Sequence, residues 1–326
     1  MMQKMKCMAL LLAVCLLTGC AASANNALPQ ETKQPENNIP RLPEKLDVNE
    51  HGIPVLKVYV TDDETVQQMD IEQYLLGVVA GEMKNDWPME ALKAQAILAR
   101  TFVLKFCEEK ESRYDGADIS TDIEEAQAYD DTAVNERVEK AVKETEGLVL
   151  SHHGALPYAW FHAHSGGMTA KAKEGLNYEK EEPGYTRVTA GLESNQAPAD
   201  AAVWEASFPE EECIAALRKA GMAGVKKLDS ITVGSRGVSG RAETLLVNGT
   251  PVNAANLRIA IGSTKMRSTL LTSLKLENGK VLMAGKGYGH GVGMPQWGAY
   301  GMAENGKGAE EIVTYYFQDV SVEKVW

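Results

Sequence analysis

From residue 91 to residue 106 the chain is apolar almost all the way round a helical wheel. A helix with no polar face has to be surrounded, so residues 91–106 form a central, buried element around which the rest is built. Pro88 stands where a first helical turn tolerates proline, and Asn85-Asp86-Trp87 closes the element before it. The polar exceptions inside the central helix are Lys93, Gln95, Arg100, Thr101 and Lys105; Lys93 and Arg100, seven apart, share a face. A cation on a buried helix needs a partner. The preceding segment offers one. Asp70 has the position of an N-cap with Gln73 three residues on, and apolar residues follow at 71, 74, 75, 78 and 79. The next term of that stripe is Glu82, about 20° around the axis from both Ile71 and Leu75. An acid therefore continues a core-facing stripe near a helix end.

At 326 residues and 44% hydrophobic, the chain can bury a core, which excludes wholesale disorder and a disulfide-stapled miniprotein. Five scattered cysteines without a CxxC pair exclude a zinc ribbon or a dithiol redox motif. A net charge of −12 excludes nucleic acid as the expected partner, which would demand a basic footprint. At the N-terminus, Lys4 and Lys6 precede an apolar run over 7–17, the pattern of a secretory signal and too short to span a bilayer. Its ending, Leu17-Thr18-Gly19-Cys20, resembles a bacterial lipobox, so residues 1–19 are expected to be removed and Cys20 to carry lipid. Residues 20–45, rich in Asn, Gln, Glu and Pro, read as a flexible tether, and 46–326 as the folded domain. Of the remaining cysteines, Cys107 and Cys213 are expected to be separate buried thiols rather than a disulfide.

Downstream, residues 53–60 read as a strand, 115–131 as a polar loop and 135–145 as an amphipathic helix. Residues 148–150 and 158–161 read as a strand pair around Gly154. Helices are expected at 210–220, 254–260, 295–302 and 310–317, with strands at 230–234, 242–247 and 320–325. From Gly285 to Gly293 every second residue is glycine. That spacing does not match a dinucleotide-binding loop; it leaves one face without side chains, open to close approach by a backbone or ligand.

Desolvation on the apolar stripe raises the pKa of Glu82 and keeps it protonated near neutrality. Lifting a glutamic acid from about 4.3 to about 6 costs roughly 2.3 kcal/mol, which a folded domain tolerates. A protonated carboxyl in apolar surroundings is what a glycosidic oxygen needs as proton donor. The competing reading is a helix-terminal glutamate in water. His162 and His164 flank one residue and could share a face for a metal, but no cysteine or carboxylate lies at zinc spacing, and hydrogen-bonded histidines are the plainer reading. Ser165-Gly166-Gly167 beside them lacks the surroundings of a serine nucleophile. Trp297 and Tyr300 could stack on a sugar or simply pack the core.

Three segments together resemble the stage II sporulation protein D family. They are Tyr74 to Met83 with Trp87 to Thr101, the block Phe161-His162-Ala163-His164-Ser165-Gly166-Gly167-Met168-Thr169, and Gly287 to Ala299. The likeness covers about 53–326. It implies a lytic transglycosylase that cuts peptidoglycan glycan strands stripped of stem peptides, at the outer face of the membrane, during engulfment in spore formation. Glu82 matches the family's catalytic acid, and Lys93 and Arg100 match its basic residues on the following helix. Substrate contacts are expected from Lys93, Gln95, Arg100, His162, Ser165, His290, Gln296 and Trp297, without cofactor or metal. A cell-wall amidase and engulfment proteins are the expected partners, with the membrane reached through the lipid on Cys20. The chain departs from relatives with a transmembrane anchor and from those that bind zinc through cysteines. A non-catalytic module that modifies an amidase is the alternative; a two-lobed solute-binding lipoprotein would need an α/β alternation that is not present. The expected fold is α+β, a helical pair carrying Glu82 packed on mixed β-sheet, with a cleft walled by the glycine-rich C-terminal segment.

Overall fold

The structure, a computed structural model, describes residues 38–326; the expected signal segment, Cys20 and the expected tether up to residue 37 fall outside the described residues. The chain begins with β1 (Asp47–Val48), β2 (Pro54–Val60) and β3 (Thr65–Asp70), then α1 (Ile71–Glu82) and α2 (Met89–Glu109). β4 (Ile119–Ser120), α3 (Glu136–Glu144), β5 (Leu148–Ser151), β6 (Phe161–His162), α4 (Ala172–Leu176) and α5 (Ala199–Ala202) follow. Next come β7 (Val203–Pro209), α6 (Glu210–Lys219), β8 (Ile231–Arg236), β9 (Ala242–Val247), β10 (Thr250–Asn253) and α7 (Ala254–Ile261). β11 (Leu271–Glu277), β12 (Lys280–Lys286), β13 (Met294–Pro295), α8 (Gln296–Glu304), α9 (Ala309–Tyr316) and β14 (Ser321–Lys324) complete it. The architecture is α+β.

α2 is the hub of the larger core. It packs against α1, α3, α8, α9 and β5, and it buries its length from Ala91 to Cys107 with few interruptions. Asp70 caps α1 by accepting a hydrogen bond from the Gln73 amide at 2.8 Å, as its position predicts. β1, β2 and β3 form an antiparallel run, with β4 added parallel to β2. A second core gathers the antiparallel sheets β10-β9-β8 and β11-β12-β7 with α6 and α7. Cys107 lies in the first core and Cys213 in the second, each a buried free thiol. Buried Arg241, on β9's approach, donates to the carbonyls of Ser165 at 2.6 Å and Met168 at 2.9 Å, so it ties the second core to the histidine-containing segment.

Two expectations change. Residues 148–150 do not pair with 158–161. β5 pairs antiparallel with β14 at the chain's end, while β6 pairs parallel with β13. Both are short partners whose matching apolar residues lie far off in sequence, which local pattern cannot reveal. The packed chain also begins before Leu46. Pro40 and Pro43 are buried, and Lys45 Nζ donates to the Lys110 carbonyl at 2.9 Å. Among the described residues no helix is long and apolar enough to cross a membrane.

Candidate active site

Glu82 is the last residue of α1 and opens into a cleft of about 500 Å³. One wall is Ala126-Gln127, another Phe161-His162-Ala163, and a third Tyr288-Gly289-His290; Ser263 and Thr264 follow α7 of the second core. The approach of 126–128 depends on Gly81. A Cβ there would sit 2.8 Å from the Tyr129 nitrogen and 2.9 Å from the Ala128 carbonyl carbon. With no side chain in the way, the Ala128 N–H reaches Glu82 Oε1 at 2.7 Å. Across the cleft, Gly289 has φ +114°, a conformation closed to ordinary side chains, and a Cβ there would lie 2.6 Å from that of His162. The side-chain-free face of the glycine segment thus receives protein backbone at Gly287 and Gly293, the base of His162 at Gly289, and the Trp204 ring and Arg241 guanidinium at Gly285 and Gly291.

Gln296, at the start of α8, donates through Nε2 to the Glu82 carbonyl at 3.0 Å and to Oε2 at 3.2 Å. Burial pushes the Glu82 carboxyl up to about 7; the bonds from Ala128 and Gln296 oppose the rise without cancelling it. Both oxygens accept a hydrogen bond, Oε1 the shorter one, so Oε2 is the better placed of the two to carry the proton. Among the described residues no charge near the carboxyl opposes this state, because the two cleft histidines are neutral. Burial lowers His162 well below the ordinary imidazole range and takes His290 down to about 3. His162 Nδ1 lies 3.1 Å from the Val292 carbonyl, which can only accept, so Nδ1 carries the hydrogen and Nε2 is a bare acceptor without a protein partner. Removing the donor on Oε2 with Gln296→Leu should raise the Glu82 pKa further above 7, read from the carbon-13 shift of the carboxyl against pH; an unchanged or lower value would show that this bond has no hold on the proton.

Of the residues expected at the site, the structure brings Glu82, His162, His290 and Gln296 to one cleft. Arg100 is elsewhere. It is fully buried and pairs with Glu72 rather than Glu82, Nε to Oε1 at 2.9 Å and Nη2 to Oε2 at 2.6 Å. Lys93 pairs with Glu90 at 2.9 Å and with Glu144 at 2.6 Å, on the side of α2 toward α3. Glu82 is thus the partner of neither cation. Gln95 is fully enclosed, its carboxamide without a protein partner. Ser165 is buried and hydrogen-bonds Glu193 through both its hydroxyl and its amide. His164 Nδ1 accepts from the Gly166 amide at 2.9 Å, so the serine and the histidine do not form a nucleophile–base pair. Trp297 packs with Trp87 at 4.4 Å and Tyr300 at 5.2 Å in the larger core. His290 Nδ1 accepts from the Val292 amide at 3.0 Å, so this residue orders the glycine segment as well as lining the cleft. Among the described residues no group of three or more His, Cys, Asp and Glu could hold a metal ion.

Gln127 was not legible as a site residue. It lines the cleft, is 2% exposed, and both atoms of its carboxamide lack protein partners. Its segment reads as an ordinary polar loop; the only local sign was the glycine four residues beyond Gly77 on α1, which marks a face open to close approach.

The fold and cleft define a two-core α+β protein with one glutamic acid, its pKa raised to about 7, facing a groove otherwise uncharged among the described residues. Residues 59–152 match the family model described as Stage II sporulation protein, and residues 169–293 match one described as a domain of unknown function. A stage II sporulation protein D of Bacillus amyloliquefaciens is 30% identical over 278 residues, covering 81% of this chain and 77% of that protein. An uncharacterized protein of Brachyspira hyodysenteriae is 30% identical over 261 residues, covering 79% and 67% respectively. An amidase enhancer of Bacillus subtilis is 27% identical over 292 residues, 74% of this chain and 39% of that protein. The chain belongs to the stage II sporulation protein D family.

Proposed function

We propose that the chain is a lytic transglycosylase that cuts peptidoglycan glycan strands already freed of stem peptides, during engulfment in sporulation. The observation that carries this reading is that Glu82 is the only carboxyl group among the described residues lining the cleft. Glycosidases that use water need two carboxyl groups, one as acid and one as base or nucleophile. A single carboxyl suffices when the nucleophile belongs to the substrate. Glu82 gives its proton to the oxygen that links N-acetylmuramic acid to N-acetylglucosamine, and the bond from that oxygen to muramic C1 breaks. The muramic C6 hydroxyl oxygen bonds to C1 and its proton returns to Glu82, leaving a 1,6-anhydro end and consuming no water. Gln127 and His162 Nε2, buried just beneath the cleft wall, keep hydrogen-bonding capacity unused among the described residues. In this reading Cys20 bears the lipid that holds the domain at the outer face of the cytoplasmic membrane, and a cell-wall amidase and other engulfment proteins work beside it.

A second reading has one specific support, the likeness to an amidase enhancer. There the cleft holds glycan without cutting it and stimulates an amidase. The test incubates wild type and Glu82→Gln with glycan strands, bare and peptide-bearing, with and without a cell-wall amidase. Cleavage of bare strands by wild type alone supports the transglycosylase. Binding without cleavage, with the amidase accelerated equally by both proteins, would replace it with the accessory role.

A further inference from the structure

The cleft does not end at Phe102 and Trp160. These side chains and Leu176 also wall an adjoining trough of about 260 Å³, completed by Phe106, Lys110, Tyr158 and Tyr178. Five of its seven lining residues are aromatic, in a chain that is only 6% aromatic, so the concentration calls for a cause. The rings are ordered. Tyr158 stacks on Trp160 with centroids 5.0 Å apart and planes 13° from parallel, and Tyr178 stands edge-on to them at 6.2 and 5.7 Å. Packing explains part of this, since Trp160 and Tyr178 lie against a small cluster of Ala170, Ala172 and Val292. Phe102, Tyr158, Trp160 and Tyr178 nevertheless all stay partly exposed, where a purely structural cluster would close over them. At the rim, exposed Lys110 holds its Nζ 5.5 Å from the Phe106 ring and makes no ion pair among the described residues.

A sugar ring presents a face of C–H groups and a girdle of hydroxyls. Wet-edged aromatic faces bury the first and leave the second in water. We propose that the trough is a remote sugar-binding position of the same groove, holding one amino-sugar ring of a strand whose scissile bond faces Glu82, with Lys110 meeting the carboxylate of a muramic acid that has lost its peptide. This rests on the glycan reading above and adds to it a place and a chemistry. Continuity decides the occupant: a polymer threaded past Glu82 has to leave the cleft somewhere, and Phe102, Trp160 and Leu176 belong to both spaces. The unpaired ammonium favours a strand that bears carboxylates.

The test uses the full chain in detergent, with Tyr178→Ala and Lys110→Glu as variants. The ratio of kcat/KM on long peptide-free strands to that on tetrasaccharides is measured, and equilibrium binding of both is followed by tryptophan fluorescence. Wild type is expected to prefer long strands; Tyr178→Ala should cut that preference about tenfold, the worth of one good aromatic contact, and Lys110→Glu about threefold, the worth of an exposed charge pair. Lys110 is exposed, so its variant does not put folding in question; thermal melts check Tyr178→Ala. A length preference unchanged in both variants overturns the proposal. So does a loss confined to peptide-bearing strands, which would make the occupant a peptide. A wild type that binds long strands without cutting them would refute the transglycosylase reading, and the length preference in binding would still decide the trough. No binding at all refutes both.

Discussion

Glu82→Gln is expected to lower glycan cleavage at least about 10³-fold while the protein stays folded, because glutamine can keep the bond from Ala128 yet has no proton to give. The pH dependence follows from the same carboxyl. Its ordinary value is 4.5 and burial takes it to about 7, so the folded state keeps a proton that the unfolded state has lost between those values. The stabilising contribution of that proton is complete below 4.5 and is lost as pH rises through 7. Wild type should therefore match Glu82→Gln in stability near pH 4.5 and fall below it by about 3 kcal/mol at about pH 8, measured by denaturant unfolding. Cleavage by wild type should fall with a single proton dependence above about pH 7. Full activity in the variant, or a stability difference indifferent to pH, would return Glu82 to the plain role of a helix-end glutamate in water.

The largest effect on stability is expected at Arg100. Its guanidinium is fully buried, grips Glu72 with two nitrogens and gives a third bond to the Leu148 carbonyl at 3.0 Å. Glu72 also accepts from the Gly147 amide at 3.2 Å, so the pair joins α1, α2 and the entry to β5. Arg100→Met leaves a largely enclosed carboxylate without its cation, a loss of about 3–5 kcal/mol. The double variant Glu72→Leu with Arg100→Met should recover much of this, because the unpaired charge is gone. Chemical denaturation of the single and double variants measures both numbers. If Arg100 instead held substrate, the single variant would keep its stability and lose kcat/KM, and the second change would restore nothing.

Much of this molecule is written in local pattern. The stripe over 71–79 and its continuation at Glu82 place the acid on a helix end, and the apolar run over 91–106 places the hub beneath it. Periodicity set that acid on the core-facing stripe but left a helix-end glutamate in water as the competing reading, which the crossing of the 126–128 loop at Gly81 decides. The partners of Arg100 and Lys93 were not, because a shared face says that a cation needs an acid and does not say which one lies across the interface. Glu72 sits on the same helix as Glu82, ten residues earlier, so the sequence alone cannot choose between them. The β5–β14 pairing joins residues about 170 positions apart, and no property of a four-residue strand encodes so distant a mate. Other features were readable and are more extensive than the strand pattern alone indicates. Asn248-Gly249 and Asn278-Gly279 both adopt positive φ and close the β9–β10 and β11–β12 hairpins, the turn chemistry that an Asn-Gly pair signals. Gln127 lay beyond local reading, since its place depends on a loop crossing α1 at Gly81.

The most direct measurement of what Glu82 does is a cleavage reaction run in oxygen-18 water on peptide-free glycan strands, with the products weighed. The expected products end in 1,6-anhydromuramic acid, lighter by one water than a reducing end and free of the isotope, and they disappear in Glu82→Gln. Reducing ends carrying oxygen-18 would show that water is the nucleophile and would contradict an intramolecular attack served by one carboxyl.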